Sequence, residues 1–103
     1  MTSVVVVDDH PVVRAGLVAL LSTRPGVSVV GEAASQAEAL SVVGRENPDV
    51  VLIDLQLGAD DGVTTTRALR ERDPNAKVLI LTTYDTDADI VAAIEAGACG
   101  YLL

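Results

Sequence analysis

The fold is set by the stretch VVVVDDHPVVRAGL, residues 4–17. Four successive valines are typical of a strand buried on both faces, as the strands of parallel sheets are. Asp8 and Asp9 follow the valines directly. Two carboxylates about 4 Å apart repel each other by roughly 4 kcal/mol at an effective dielectric of about 20. We therefore expect a cation that offsets this repulsion at the end of the first strand.

Size and charge limit the classes of protein that the chain can belong to. Its 103 residues suit one compact domain, and the formal charge of −8 argues against nucleic-acid binding by these residues. The single cysteine, Cys99, excludes an internal disulfide, and we expect it to be a small buried hydrophobe. No apolar run suits a signal peptide or a membrane span of about 20 residues. A cytoplasmic protein with no membrane partner is expected.

Strand-like and helix-like segments alternate along the chain. Pro11 suits the first turn of a helix, and Ser35 with Glu38 forms a capping-box pattern. The expected strands cover residues 3–8, 27–34, 49–54, 76–83 and 99–103, and the expected helices cover residues 11–24, 36–47, 63–73 and 85–98. The strands are continuous aliphatic runs, which indicates a parallel sheet covered by helices on both faces. The predicted fold class is a doubly wound α/β domain.

Several of these strands end in a polar side chain. Asp8 and Asp9 end the first strand, Asp54 ends the third, and Thr82 lies at the end of the fourth. Functional sites of doubly wound sheets lie at the carboxyl ends of the strands, and neighbouring strands are about 4.8 Å apart. Three carboxylates around one point favour a hard cation, Mg²⁺ or Mn²⁺. For Asp9 or His10, capping of the helix that begins at Pro11 is an equally good interpretation.

Four segments carry a resemblance to a known family: VVVVDDHPVVRAGL, DVVLIDLQL followed by Asp61 and Gly62, VLILTTYD, and AIEAGACGYLL. With these segments in this order, the sequence resembles the receiver domain of response regulators in bacterial two-component signalling. Within that family it resembles the NarL/FixJ subfamily. The resemblance covers essentially residues 1–103 and implies a flavodoxin-like, five-stranded parallel sheet.

The resemblance implies a phosphoacceptor site. Asp54 would attack a phosphoryl group delivered from a kinase phosphohistidine. Asp9 would be the main carboxylate ligand of the metal, with Asp8 assisting largely through water. The backbone carbonyl of Gln56 would complete the protein ligands. Self-phosphorylation and self-dephosphorylation would be the only reactions, so we do not expect an enzyme in the usual sense.

The resemblance also implies residues that respond to phosphorylation. Thr82 would move toward the phosphoryl oxygens, and Tyr101 would change rotamer with it. Gln56 and Tyr84, each two positions after a motif residue, would tune the lifetime of the phosphoaspartate. The added negative charge attracts a hydroxyl donor, and such local events bias a two-state element.

Two departures from the family pattern concern the loop after Asp54 and the chain end. Gly58 stands where a proline is common, and the sequence ends at Leu103, before the family's phosphoryl-contacting lysine and fifth helix. We therefore expect a truncated receiver that lacks the fifth helix. By resemblance, its partners are a sensor histidine kinase and a second copy in a homodimer. DNA would be bound only by a LuxR-type helix-turn-helix output domain that these residues do not contain.

Other interpretations fail at named residues, with one exception. A haloacid-dehalogenase-like phosphatase needs an aspartate where Gln56 stands, and cobalamin binding needs a glycine where Val13 stands. Dinucleotide binding needs a glycine-rich first turn, which the two aspartates replace. A pseudo-receiver, serving only as a dimerisation or docking module, remains an open alternative. Mg²⁺ binding would separate it from a working receiver.

The remaining charged and apolar positions have ordinary interpretations. Arg14 and Arg67 are expected on solvated helix faces, and His10 is expected to pack at the rim of the site. Ile90 and Ile94 are expected to face the core at helical spacing. The fourth helix, together with the fifth strand, can alternatively form a partner surface.

Overall fold

A computed structural model of the chain describes the backbone of residues 1–54, 56–57, 60–81 and 100–102, with the side chains of residues 1–54 and 62–81. The helices are α1 (Pro11–Ser22), α2 (Gln36–Glu46) and α3 (Gly62–Arg72). The strands are β1 (Thr2–Val7), β2 (Val27–Ala33), β3 (Val50–Asp54), β4 (Gln56–Leu57), β5 (Asp60–Asp61), β6 (Val78–Leu81) and β7 (Gly100–Leu102). The expected fourth helix, residues 85–98, lies outside the described residues.

Five strands form one parallel sheet in the order β2-β1-β3-β6-β7. In order of appearance this is 2-1-3-4-5, the order of flavodoxin-like doubly wound sheets. The remaining two strands, β4 and β5, pair antiparallel after the end of β3. The predicted fold class, a parallel five-stranded α/β sheet, is confirmed.

The valine run is buried because each face of the sheet is covered by helices. Val5 and Val7 face a core that includes Ala39 and Val42 of α2 and Leu69 of α3. The alternate residues of β1, such as Val4 and Val6, pack on the opposite face toward α1. Side chains of successive strand residues point to opposite faces, so four consecutive valines supply both cores. The helices on either face confirm the doubly wound prediction.

Local signals set the helix ends. The N–H of Glu38 donates to Ser35 Oγ at 3.2 Å, as the capping-box pattern predicts, and Asn47 ends α2 in the left-handed conformation with φ 47°. Helix α1 ends at Ser22, two residues before the expected end. The physical reason is Pro25, because the residue before a proline is disfavoured in helical conformation. Among the helices in the described part of the chain, none has the length and apolar character that a bilayer span requires.

Candidate functional site

Strand register brings the predicted acidic residues together at the carboxyl end of the sheet. Val7 lies opposite Ile53 in the parallel pair β1–β3, so Asp8 and Asp54 come side by side at the strand ends. The N–H of Asp8 donates to the Ala33 carbonyl at 3.0 Å, which extends the β1–β2 ladder by one residue. The structure therefore brings the three aspartates together at this edge of the sheet.

The site contains four potential metal-ligating side chains: Asp8, Asp9, His10 and Asp54. One donor atom from each lies within 4.8 Å of the others. His10 Nδ1 lies 3.1 Å from Asp8 Oδ1, 3.0 Å from Asp9 Oδ1 and 3.8 Å from Asp54 Oδ2. The arrangement places three carboxylates and one imidazole around a single point.

Asp8 is the most buried of these groups, with 1% of its side chain exposed. Its Oδ1 accepts from the backbone N–H of His10 at 2.8 Å. Within the described residues, no donor reaches its Oδ2. A buried charged oxygen without a partner is costly, and a bound cation would remove that cost. The donor set of carboxylate oxygens fits a hard divalent cation such as Mg²⁺.

The acidic side chains also affect the ionisation of His10. The hydrogen bond to Asp8, followed by the charge of Asp9, raises the pKa of His10 above its usual value of 6.5. Its ring is 61% exposed, yet its Nδ1 faces the acids. His10 occupies the N-cap position of α1 without a side-chain cap hydrogen bond. The exposed side chain lies at the edge of the acidic cluster, in agreement with the expected position at the rim of the site, and its Nδ1 is also in close contact with the acids.

Arg14 holds the backbone that carries the acids. Its Nη1 donates to the Asp8 carbonyl at 2.7 Å, and its Nε donates to Glu32 Oε1 at 3.1 Å. The side chain is 21% exposed, so the expectation of a solvated arginine is wrong for Arg14. The guanidinium joins α1, the end of β1 and β2 at one point. Arg67, by contrast, is exposed as expected.

The other predicted site residues are described only in part or not at all. Gln56 lies in β4 opposite Asp61, and Tyr101 lies in β7 opposite Ile80, each as backbone. Thr82 and Tyr84 lie outside the described residues, as do Ile90 and Ile94. A pocket of about 200 Å³ lies near the amino ends of β3 and β6, away from the cluster of Asp8, Asp9 and Asp54.

Comparison with known proteins identifies similar sequences and structures. A family model of the response regulator receiver domain matches residues 4–103. The chain is 47% identical over 103 residues to the DNA-binding transcriptional activator DevR/DosR of Mycobacterium tuberculosis, covering 100% of this chain and 48% of that protein. This chain therefore spans about half the length of such a relative.

Solved structures agree with the sequence match. A two-component response regulator of the LuxR family from an Aurantimonas species superposes with a TM-score of 0.94 at 42% identity, covering 98% of this chain and 72% of that chain. A response regulator from Burkholderia pseudomallei, solved with a phosphorylated aspartic acid, a calcium ion and citrate, has a TM-score of 0.85 at 35% identity. That match covers 99% of this chain and 59% of the other.

Proposed function

The chain belongs to the response regulator receiver domain family, and from this premise we propose that it accepts a phosphoryl group on Asp54 in a Mg²⁺-dependent reaction. The observation that carries the proposal is the meeting of Asp8, Asp9 and Asp54 at the end of β1 and β3. No donor among the described residues reaches Oδ2 of buried Asp8, which supports a cation at this point. Mn²⁺ would serve in place of Mg²⁺, because it also accepts oxygen ligands.

The chemistry follows from charge. A carboxylate oxygen of Asp54 attacks the phosphorus of the donor, and the bond to the donor's leaving group breaks. Asp54 is 23% exposed, so a donor can approach it from solvent. Asp9 and Asp8 would hold the cation, with the Gln56 carbonyl as a further ligand. The bound cation would neutralise phosphoryl charge and orient the phosphate. The relative from Burkholderia, with its phosphorylated aspartate and calcium ion, supports this assignment by analogy.

Phosphorylation would be read out through a second group of residues. Thr82 would move toward the phosphoryl oxygens, and Tyr101 would change rotamer in response. The pairing of β7 with β6 supports the coupling, because Tyr101 lies next to Ile80 in the same sheet. Gln56 and Tyr84 would set the lifetime of the phosphoaspartate. These two residues would change rates of hydrolysis rather than the identity of the acceptor.

The partners follow from the family. A cognate sensor histidine kinase would supply the phosphoryl group in the cytoplasm, and the phosphorylated receiver would form a homodimer. Residues 1–103 would be one receiver domain that controls a helix-turn-helix output domain. The role of DevR/DosR as a DNA-binding transcriptional activator supports a transcriptional output of this kind. The receiver would act as a regulated phosphoacceptor rather than as an enzyme that turns over a separate substrate.

Intact mass spectrometry tests the proposal. The chain is incubated with acetyl phosphate and Mg²⁺, and we expect an adduct of about 80 Da, the mass of one added phosphoryl group. We expect no adduct on Asp54→Asn, because an amide oxygen is a poor nucleophile, and none on the parent chain in the presence of a chelator. Asp49→Asn is the matched control, since Asp49 lies at the opposite end of the sheet. It should keep the adduct.

An adduct that persists on Asp54→Asn would contradict the assignment of the acceptor. The absence of an adduct on the parent chain, together with no Mg²⁺ binding, would favour the pseudo-receiver, a docking module that does not depend on phosphorylation. Mg²⁺ binding without an adduct on this chain would call for the same measurement on a longer chain that includes the family's lysine.

A further inference from the structure

We propose that His10 is a direct ligand of the cation in this site, which lets the site bind a first-row transition ion such as Zn²⁺ in competition with Mg²⁺. The inference rests on the proposed function only in assuming that the acidic residues hold a divalent cation. It adds a ligand that the family-derived set of Asp8, Asp9, Asp54 and the Gln56 carbonyl does not contain.

The backbone places the imidazole at the site. The N–H of His10 donates to Asp8 Oδ1 at 2.8 Å, which closes a tight turn directly after β1. Pro11 then begins α1, so the chain direction on either side of His10 is restricted. As a result, Nδ1 faces the acids although 61% of the side chain is exposed to solvent. The position is set by main-chain geometry rather than by packing of the ring.

The spacing of the donor atoms matches a coordination shell. Ligand atoms about 2.1 Å from a metal ion lie about 3.0 Å apart in an octahedral site and about 3.4 Å apart in a tetrahedral site. The distances from His10 Nδ1 to the three carboxylate oxygens are 3.0, 3.1 and 3.8 Å. Asp9 Oδ1 is one of these oxygens, and within the described residues it makes no aligned hydrogen bond despite its close approach. The hydrogen bond to Asp8 accounts for one of these distances, but the 3.0 Å approach to Asp9 Oδ1 has no such bond, and a shared cation would account for it.

A second observation points to a ligand at this place independently of His10. Asp8 is 1% exposed, and among the described side chains and backbone none donates to its Oδ2. Burial of an unpaired carboxylate oxygen is maintained in proteins mainly where a metal ion or another charge satisfies it. The orphaned oxygen therefore marks the site as one built for a cation.

The mixture of nitrogen and oxygen ligand atoms determines which cations compete for the site. Mg²⁺ prefers oxygen ligands and retains several waters, so an imidazole adds little to its binding. Zn²⁺ accepts imidazole nitrogen and carboxylate oxygen in four-coordinate sites. Asp8, Asp9, Asp54 and His10 together supply four such ligands. His10 is thus the residue that determines the preference between the two ions.

Nuclear magnetic resonance of the single histidine tests direct ligation. His10 is the only histidine in the chain, so the imidazole ¹⁵N signals need no assignment between residues. Addition of Zn²⁺ to the chain should shift the Nδ1 resonance to the range of a metal-bound nitrogen while Nε2 keeps its proton. Asp9→Asn should reduce this shift at the same Zn²⁺ concentration, which excludes binding to the ring alone.

Affinity measurements by titration calorimetry test the preference. Outer-shell partners alone change metal affinity about 10- to 100-fold, so loss of a direct ligand in His10→Ala should weaken Zn²⁺ binding at least about tenfold. Mg²⁺ affinity should change less than about twofold. Val12→Ala, at an 85% exposed position two residues further on, is the matched control and should change neither.

The outcomes separate this inference from the proposed function. Equal Zn²⁺ affinity in His10→Ala, or an Nδ1 resonance that does not shift, would show that His10 is only a counter-ion and would overturn the inference. In that case Mg²⁺ binding and the phosphoryl adduct on Asp54 would still stand. If the parent chain does not bind Mg²⁺, the proposed function is overturned instead. A shift of the Nδ1 resonance on addition of Zn²⁺ would then still support the inference.

Discussion

The two ends of the strand pair β1–β3 hold aspartates in opposite situations. At the amino end, Asp49 Oδ2 accepts from the N–H of Ser3 at 2.8 Å and from Ser3 Oγ at 3.1 Å. The N–H of Asp49 in turn donates to Ser3 Oγ at 2.9 Å. At the carboxyl end, Asp8 is buried, and no donor from the described residues reaches its Oδ2. One aspartate closes a hydrogen-bonded link, and the other keeps an unsatisfied oxygen in an acidic cluster.

This difference separates an acid whose role is structural from one for which we propose a functional role. Asp49 lowers the free energy of the fold by joining the starts of two strands, and its own chain supplies every partner that this requires. Asp8, Asp9 and Asp54 lie close together, and like charges at such distances repel each other. Natural sequences depart from locally favourable choices mainly at functional sites. The carboxyl end is therefore the place where we expect an external cation to bind.

The largest expected effect is stabilisation by Mg²⁺ at the carboxyl end. At about 100 times its dissociation constant, a ligand specific for the folded state raises the free energy of unfolding by about 2.7 kcal/mol. We expect this increase for the parent chain, measured by urea unfolding with Mg²⁺ and with a chelator. Asp9→Asn should lose most of it, because a direct ligand is gone.

Ser3→Ala provides the matched control at the amino end. This variant should lose stability through the missing hydroxyl, yet it should keep the full Mg²⁺ increase. An equal Mg²⁺ increase in Asp9→Asn would contradict the division between the two ends, because the ion would then bind elsewhere.

A smaller increase in stability is expected for Asp8→Asn in the absence of metal. The substitution removes one of three neighbouring carboxylate charges that repel each other, at an oxygen that no donor among the described residues reaches. The hydrogen bonds from His10 to Oδ1 lose a charged acceptor in exchange, so the variant should be more stable by a smaller net amount, about 1 kcal/mol, in a chelator. Urea unfolding of both chains measures the difference. A less stable variant would mean that the Asp8 charge is already balanced in the metal-free protein.

The fold could be predicted because its signals are local and repeated. Continuous aliphatic runs such as residues 4–7 indicate strands buried on both faces, and the structure has this arrangement. The hairpin of β4 and β5 was not predicted, since its residues belong to a glycine- and acid-rich stretch without alternating hydrophobicity. The aliphatic pattern predicts an end of α1 two residues later than the structure has it, because Pro25 disfavours helical conformation in the residue before it.

Of the residues in the candidate site, only the aspartates could be brought together from the sequence. Asp8, Asp9 and Asp54 could be brought together because strand ends align at one edge of a parallel sheet. The position of His10 and Arg14 depends on how α1 leaves β1, and sequence spacing alone does not contain that angle. The sequence predicts His10 at the rim of the site but not its hydrogen bond to Asp8, and it predicts a solvated Arg14, whereas the guanidinium donates to the Asp8 carbonyl. The direction of a side chain in such a turn depends on how the flanking strand and helix pack in three dimensions.

The smallest expected effect is the pH dependence of the amino-end link. The backbone N–H of Ser3, followed by its hydroxyl, lowers the pKa of Asp49 below its ordinary value of 3.8. A carboxyl whose pKa is lower in the folded state binds its proton more weakly there than in the unfolded chain. Its contribution to stability is therefore full above the unfolded pKa and is lost as the pH falls through the lowered folded pKa.

Asp49→Asn isolates this contribution, because the amide keeps an acceptor oxygen but has no charge. At neutral pH the parent chain should have the higher urea midpoint, since a charged acceptor makes the stronger hydrogen bonds to Ser3. Between about pH 5 and pH 2 the two midpoints should converge as Asp49 takes up its proton. Measurement in a chelator keeps metal binding at the opposite end out of the comparison. A constant gap across this range would show that Asp49 acts through the shape of its side chain alone, and the amino end would then have no electrostatic counterpart to the carboxyl end.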